Sequence, residues 1–240
     1  MKELIINDAA ELGIRLDEAQ AAQLELYYKI LIERNRVMNL TRITDPDEVA
    51  AKHFLDSLTP IPTGHVKGKV IDIGTGAGFP GLVLKCALPG IRLTLLDSLN
   101  KRIGFLRDAA AAMGISDGIE FVHARAEDAA RQPRHREKYD TVVSRAVANL
   151  RTLSEWCLPY VKPGGYFLAL KGPLAESELE DAGAAIKILG GTVEDIFDAA
   201  IPRTDLRHRI IVIKKTRHTP TAFPRIGGKA TAVPIEKAYK

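Results

Sequence analysis

The sequence predicts an α/β protein: a seven-stranded, mostly parallel sheet with an antiparallel edge, preceded by a helical extension. Three observations carry that expectation. From Lys69 onward, short aliphatic runs alternate with longer amphipathic ones, as strands and their covering helices do. The last two runs, "TVEDIFDAAI" and "RHRIIVIKK", follow one another without a helical segment, which suits an antiparallel hairpin. Residues 1–65 read as helix.

Within the extension, "RLDEAQAAQLELYYKILIERN" places Leu24, Tyr27, Tyr28 and Leu31 at helical spacing, and Asp17 with Gln20 has the form of a capping box. "DPDEVAAKHFLDSL" reads as a second helix opened by Pro46, and Pro60, Pro62 and Gly64 break the chain after it. "KVIDIG" is then a buried strand, "GLVLKCAL" a helix stopped by Pro89 and Gly90, "IRLTLLD" a strand and "SLNKRIGFLRDAAAAMG" a helix. "IEFVHARAE" and "YDTVVSRAV" follow as strands, "NLRTLSEWCLPYV" as a helix, "GGYFLALKG" as a strand and "ESELEDAGAAIKILGG" as a helix before the edge hairpin. The expected organisation is a helical extension at 1–65, a core domain at 66–216 and a basic tail at 217–240.

With 46% hydrophobic and 27% charged residues, the chain reads as globular. No apolar run approaches the roughly 20 residues of a membrane span, and the acidic start "MKELIINDAAELG" is no secretory signal. Cys86 and Cys157 read as small core residues of a reduced, cytoplasmic protein. The net charge of +4 is unevenly spread: residues 201–240 hold ten Lys and Arg against Asp205 and Glu236. A mildly acidic body with a basic end suits a polyanion-binding enzyme, and equally a solvated edge strand and tail. The six histidines are scattered without metal-ligand spacing, so no metal is expected.

"VIDIGTGAGFPG", from Val70 to Gly81, holds four glycines behind the first strand, where the ligand of a doubly wound sheet binds. Gly76, Gly78 and Gly81 satisfy the dinucleotide pattern G-x-G-x-x-G. Asp72, Gly74, Gly76 and Gly78 satisfy D-x-G-x-G-x-G, the pattern of S-adenosyl-L-methionine (SAM) binding in Rossmann-like, class I methyltransferases. Asp97, ending the second strand, suits ribose hydroxyls of either cofactor, or a cap on the helix opening at Ser98. Features further along separate the cofactors. Ala126-Glu127-Asp128 offers groups for an adenine amine, the "KPGG" turn precedes the fifth strand, and the edge hairpin matches a seven-stranded methyltransferase sheet. Two alternatives stay open: an NAD-dependent oxidoreductase, and a non-catalytic RNA-binding ribosome assembly factor.

The stretches "MNLTRI", "KHFLDSL", "DIGTGAGFPGLVLK", "LTLLDSLNKRIGFL", "YDTVVSRAVANL", "LALKG", "RHRIIVIKK" and "TPTAFPRIGGK" occur in the order of one family. The chain resembles the bacterial small-subunit rRNA guanine-N7 methyltransferases, the glucose-inhibited division protein B family, from about Val37 to Arg225. The resemblance implies methylation by SAM of one guanosine in the decoding-region loop of 16S rRNA. It also implies cofactor contacts at Gly74, Phe79, Asp97 with Ser98, Ala126 with Glu127, and Arg145. Guanine N7 carries an available lone pair and needs no deprotonation, which agrees with the absence of an Asn/Asp-Pro-Pro-Tyr motif after the fourth strand.

Arg145 ends that strand and is the expected catalytic residue, with a salt bridge to Asp140 or Glu155 as the structural alternative. Lys171, Arg207, Arg209, Lys214, Lys215 and Arg225 are candidates for rRNA phosphates. Phe79, Phe223 and Tyr166 are either stacking or core aromatics, and His53 with Asp56 is either a cleft-lining or a buried bonded pair. The expected partner is 16S rRNA or the 30S subunit, and a monomer is the expected state.

Overall fold

The computed structural model of the chain describes residues 1–145, 147–172, 175–205 and 207–238. The extension begins with α1 (Lys2–Glu11) and α2 (Glu18–Met38). At the start of α2, Asp17 accepts from the Gln20 N–H at 2.8 Å and Gln20 Oε1 accepts from the Asp17 N–H at 2.9 Å, a complete capping box. Leu24, Tyr27 and Leu31 are buried, and Tyr28 is half-buried on the same side. The expected second helix is α3 (Pro46–Val49), a π-helical segment (Ala50–Leu55) and α4 (Asp56–Leu58) in one run. Asp45 caps it by accepting from the Asp47 and Glu48 N–H groups.

Seven strands, β1 (Lys69–Ile73), β2 (Arg92–Asp97), β3 (Ile119–His123), β4 (Tyr139–Arg145), β5 (Val161–Lys171), β6 (Gly191–Ala200) and β7 (Arg207–Lys215), form one sheet in the order 3-2-1-4-5-7-6. The pairs among β1 to β5 are parallel, while β7 runs antiparallel to both β5 and β6. The hairpin thus closes the sheet with β7 inside and β6 at the rim. The connecting helices are α5 (Gly81–Ala87), α6 (Asn100–Ala112), α7 (Ala126–Ala129), α8 (Leu150–Cys157) and α9 (Ala175–Ile188). One apolar core joins α1, α2, the π-helical segment, α5 and α6 to one face of the sheet; a second joins α8 and α9 to the other. Cys86 and Cys157 are buried and unbridged.

Several boundaries differ from expectation: α8 stops at Cys157 and β5 already begins at Val161, ahead of the "KPGG" turn. The third strand stops at His123 and Ala126 opens α7, because the partner β2 ends at Asp97, opposite His123. The tail is not free. Phe223, Ala230 and Ile235 are buried, and α10 (Lys229–Ala232) and α11 (Ile235–Ala238) lie against α8 and α9. Tyr239 and Lys240, the end of the expected basic tail, lie outside the described residues.

Candidate active site

The glycine loop leaves the carboxyl end of β1 and is tied to the next strand, where the Gly74 and Thr75 N–H groups donate to Leu96 O at 2.9 and 3.1 Å. Its glycines do different things. Gly81 lets α5 approach β1: a Cβ there would stand 2.8 Å from Asp72 Oδ2, which accepts the Gly81 N–H at 2.9 Å. Gly78, at φ +91°, faces away from the cleft; its Cβ would come within 2.5 Å of the Tyr27 hydroxyl, and that hydroxyl donates to Ala77 O. Gly76, at φ +59°, would point a Cβ into open space, with nothing nearer than 3.9 Å. Its N–H donates to Asp97 Oδ2 at 3.0 Å.

That open space is a cleft of about 600 Å³, a size typical of cofactor sites. Gly74, Gly76, Phe79, Asp97, Ser98, Ala126, Glu127 and Arg145 all line it, so eight expected contacts converge. Two expected contacts stand elsewhere. Asp72 is fully buried beneath the loop as its anchor, and Gly78 packs against α2. Asp97 also accepts from the Leu99 N–H at 2.8 Å, so it shapes the turn into α6 as well as facing the cleft.

A second cavity of about 700 Å³ adjoins the first, sharing His53, Arg145 and Val147 and adding Asp56, Lys171 and His208. Asp56, on α4 and 1% exposed, is the hub of this wall. Its Oδ2 accepts from Arg145 Nη1 at 2.6 Å, and its Oδ1 bonds His208 Nδ1 at 2.5 Å. Arg145 also donates to Lys52 O at 3.2 Å and lies 5.2 Å over the Phe79 ring. Phe79 in turn stacks on His53 at 4.6 Å, and His53 Nε2 meets Thr41 Oγ1 at 2.8 Å.

The charges follow from this geometry. Burial pushes the Asp56 carboxyl up, but the His208 hydrogen bond and the Arg145 charge outweigh it and hold it below the ordinary carboxylate value. The same bond raises His208. Burial, with Arg145 beside it, lowers His53 to about 4, so it is neutral at pH 7. Burial raises Asp72 to about 6, against the pull of the Thr75 hydroxyl and the Gly81 N–H.

The partners expected from sequence are therefore redrawn. Arg145 pairs with Asp56, while Asp140 pairs with Lys162 and Glu155 with Arg225. His53 and Asp56 line the same wall but bond to different neighbours, Thr41 on one side and Arg145 with His208 on the other. Several phosphate candidates are engaged inside the protein. Lys171, buried, donates to Ala148 O and Glu178 at 2.6 and 2.7 Å. Lys215, fully buried, donates to Leu158 O at 2.6 Å and Thr219 Oγ1 at 2.8 Å. Arg225 is clamped by Glu155. Lys214 pairs with Glu194 at the end of β7 remote from the cleft, and Arg209 is shared between Asp198 and Glu176. Arg207 is exposed at the cleft end. Of the aromatics, Phe223 is core, and Tyr166 stacks on His65 at 3.7 Å, at the opposite end of the sheet.

Sequence reasoning missed Thr41, Val147, Trp156, Gly228 and Thr231 as cleft residues, and His208 as the second ligand of Asp56. Thr41 within "MNLTRI", Val147 within "YDTVVSRAVANL", His208 within "RHRIIVIKK" and Gly228 within "TPTAFPRIGGK" carried a signal, and that was resemblance rather than chemistry; Trp156 and Thr231 carried none. Among the described residues, no group of His, Cys, Asp and Glu is placed to hold a metal, and no helix is long and apolar enough to cross a membrane.

Comparisons with known proteins converge on one family. The model of the GidB family, rRNA small subunit methyltransferase G, matches residues 20–206. The chain is 50% identical over 238 residues to the ribosomal RNA small subunit methyltransferase G of Alkaliphilus oremlandii (strain OhILAs), covering 98% of this chain and 99% of the relative. It is 47% identical over 237 residues to that of Alkaliphilus metalliredigens (strain QYMF), covering 98% and 99%. Among solved structures, a putative S-adenosyl-L-methionine-dependent methyltransferase from Methanococcus maripaludis shares the fold, with a TM-score of 0.54 at 16% identity over 80% of this chain and 93% of that one. The chain belongs to the GidB family, rRNA small subunit methyltransferase G, and is a methyltransferase that uses S-adenosyl-L-methionine.

Proposed function

We propose that the protein methylates the N7 of one guanosine in the decoding-region loop of 16S rRNA, acting in the cytoplasm as a monomer on RNA of the small subunit. Family membership sets aside the oxidoreductase and non-catalytic alternatives. The cleft suits SAM: a Cβ at Gly76 would enter it, the Asp97 carboxylate faces it, and Ala126 with Glu127 stands at its edge. In this reading Gly74 and Gly76 admit the amino-acid portion, Asp97 with Ser98 holds the ribose, and Ala126 with Glu127 receives the adenine. Asp97 has acceptor capacity beyond the bonds it makes, since a carboxylate offers about four lone-pair sites. Bound SAM supplies an electrophilic methyl group on a sulfonium.

The observation that carries the proposal is the wall shared by the two cavities. It holds an Arg and no idle strong base: Asp56 is committed to Arg145 and His208, and His53 titrates near 4. Such a wall suits a nucleophile that arrives with its lone pair free, as guanine N7 does, and leaves positioning as the main catalytic task. Arg145 retains guanidinium donors beyond Nη1 for guanine O6 or a phosphate. Arg207, and Arg209 by exchange of its acidic partners, are the proposed phosphate contacts.

The test is methyl transfer from labelled SAM to 30S subunits of a strain lacking the enzyme, followed by digestion to nucleosides. Label in 7-methylguanosine from a single 16S position is the expected result; label in another nucleoside overturns the N7 assignment.

A further inference from the structure

The segment after β7, expected to reach for RNA, runs back over the molecule and borders the 600 Å³ cleft before α11 settles against α9. Three arginines and a glutamate fasten it. Arg131 donates to Ala222 O and Pro224 O at 2.9 Å, and Arg136 to Thr219 O and Phe223 O at 2.8 Å. Glu155, 1% exposed, accepts from the Arg225 backbone N–H at 2.7 Å and from its guanidinium at 2.7 and 2.9 Å. Charge-assisted, buried and bidentate, this is the strongest type of hydrogen-bonded contact available to such a strap. Beyond it the chain turns through Gly227 and Gly228, both at positive φ, into α10, where Arg225 Nη2 also holds Val233 O at 2.9 Å.

That turn puts Gly228 and Thr231 in the wall of the 600 Å³ cleft, together with Trp156. A Cβ on Gly228 would meet nothing closer than Thr231 Oγ1 at 3.9 Å, so this stretch leaves space where it borders the cleft. The helix α8, which carries Trp156, lies against both α10 and α7, and α7 carries Ala126 and Glu127.

We propose that residues 227–232 belong to the cofactor site and close the end of the cleft at Ala126 and Glu127, with Arg225–Glu155 as the strap that holds them there. Arg225 is then a positioning residue for cofactor binding, not an RNA contact. The proposal rests on the reading that this cleft holds SAM. Coupling is reciprocal, so whatever fastens the segment tightens the cofactor, and the cofactor shifts the segment's opening equilibrium toward the closed state by the same factor.

The experiment compares the full chain with Arg225→Gln and Thr231→Gln. Calorimetry gives the affinity for S-adenosylhomocysteine, and filter binding to small subunits over a salt series gives the RNA side. The expected result is a loss of about tenfold in S-adenosylhomocysteine affinity for Arg225→Gln and a smaller loss for Thr231→Gln, with subunit affinity and salt slope unchanged. Hydrogen exchange of residues 226–238 should slow when S-adenosylhomocysteine is added. Unchanged cofactor affinity in both variants overturns the inference, as does a changed salt slope in Arg225→Gln with cofactor affinity intact. A full chain that fails to bind S-adenosylhomocysteine sinks the cofactor reading of the cleft and this inference with it. Should Arg225→Gln unfold, Thr231→Gln at unaltered thermal midpoint decides.

Discussion

Asp56 shows how one buried carboxylate organises a site. It is shared between Arg145 and His208, and each removal has a distinct consequence. Arg145→Ala leaves Asp56 bonded to His208, so the fold should survive with a loss of about 1–3 kcal/mol in urea unfolding. Methyl transfer should fall by at least ~100-fold, because the group that borders both cavities is gone. Full activity in that variant would remove Arg145 from the site. Asp72 and His53 make a second, opposed pair. Asp72 titrates near 6 in the fold against 3.8 as a free side chain, so the folded state holds the extra proton and stability falls as pH rises through that window. His53 titrates near 4 against 6.5, so the unfolded state holds the extra proton there and stability rises with pH. Over their common range the two trends offset. Asp72→Asn keeps an acceptor for the Gly81 N–H and removes the carboxylate's burden, of about 3 kcal/mol. Its stability, measured by denaturation at pH 4, 5, 6 and 7, should climb more steeply than wild type's; parallel profiles would contradict the assignment.

At the scale of elements, the glycine loop separates conformational need from ligand need. Both Gly76 and Gly78 sit at positive φ, where a Cβ costs about 1–2 kcal/mol. Gly78→Ala would also drive its Cβ into Tyr27, Leu106 and Leu82, raising the loss to about 2–5 kcal/mol. Gly76→Ala meets open space, so its loss should stop at that backbone cost of about 1–2 kcal/mol, yet it should weaken S-adenosylhomocysteine binding markedly. Thermal unfolding and calorimetry on the two variants check this; equal effects on both readouts would refute the division. The loop was legible in the sequence because its demands are local: a buried aliphatic strand, glycines at fixed spacing and a helix behind them. The capping box and the strand order of types were legible for the same reason. The π-helical segment, the Asp56 hub and the tail's return were not. Tyr27 is joined to Ala77 across 50 residues, Asp56 to Arg145 across 89 and Asp56 to His208 across 152, and no periodicity encodes such pairings. The third strand ran long on paper because its end is set by where its neighbour β2 stops.

For the whole molecule, the sequence suggested a basic end that grips RNA, and folding divides that charge. Lys215 and Arg225 are consumed inside the protein, and Lys214 stands at the end of β7 opposite the cleft. Arg207 opens β7 at the other end, one residue from His208 in the substrate-side cavity, and is exposed. Counterion release makes this partition measurable, since each phosphate contact adds close to one unit to the slope of log affinity against log salt. Arg207→Ala should therefore lower that slope on small subunits by about 1, with uniform weakening at low salt. Lys214→Ala removes the same formal charge from the same strand and should leave the slope unchanged, because its ammonium is paired with Glu194 far from the reacting end. Filter binding between about 50 and 200 mM salt resolves the two. Equal slopes for both variants would mean that RNA senses the net charge of the hairpin. A difference confined to Arg207 would mean that it runs along the cleft end of the sheet, past the cavity that Asp56, Arg145 and His208 enclose.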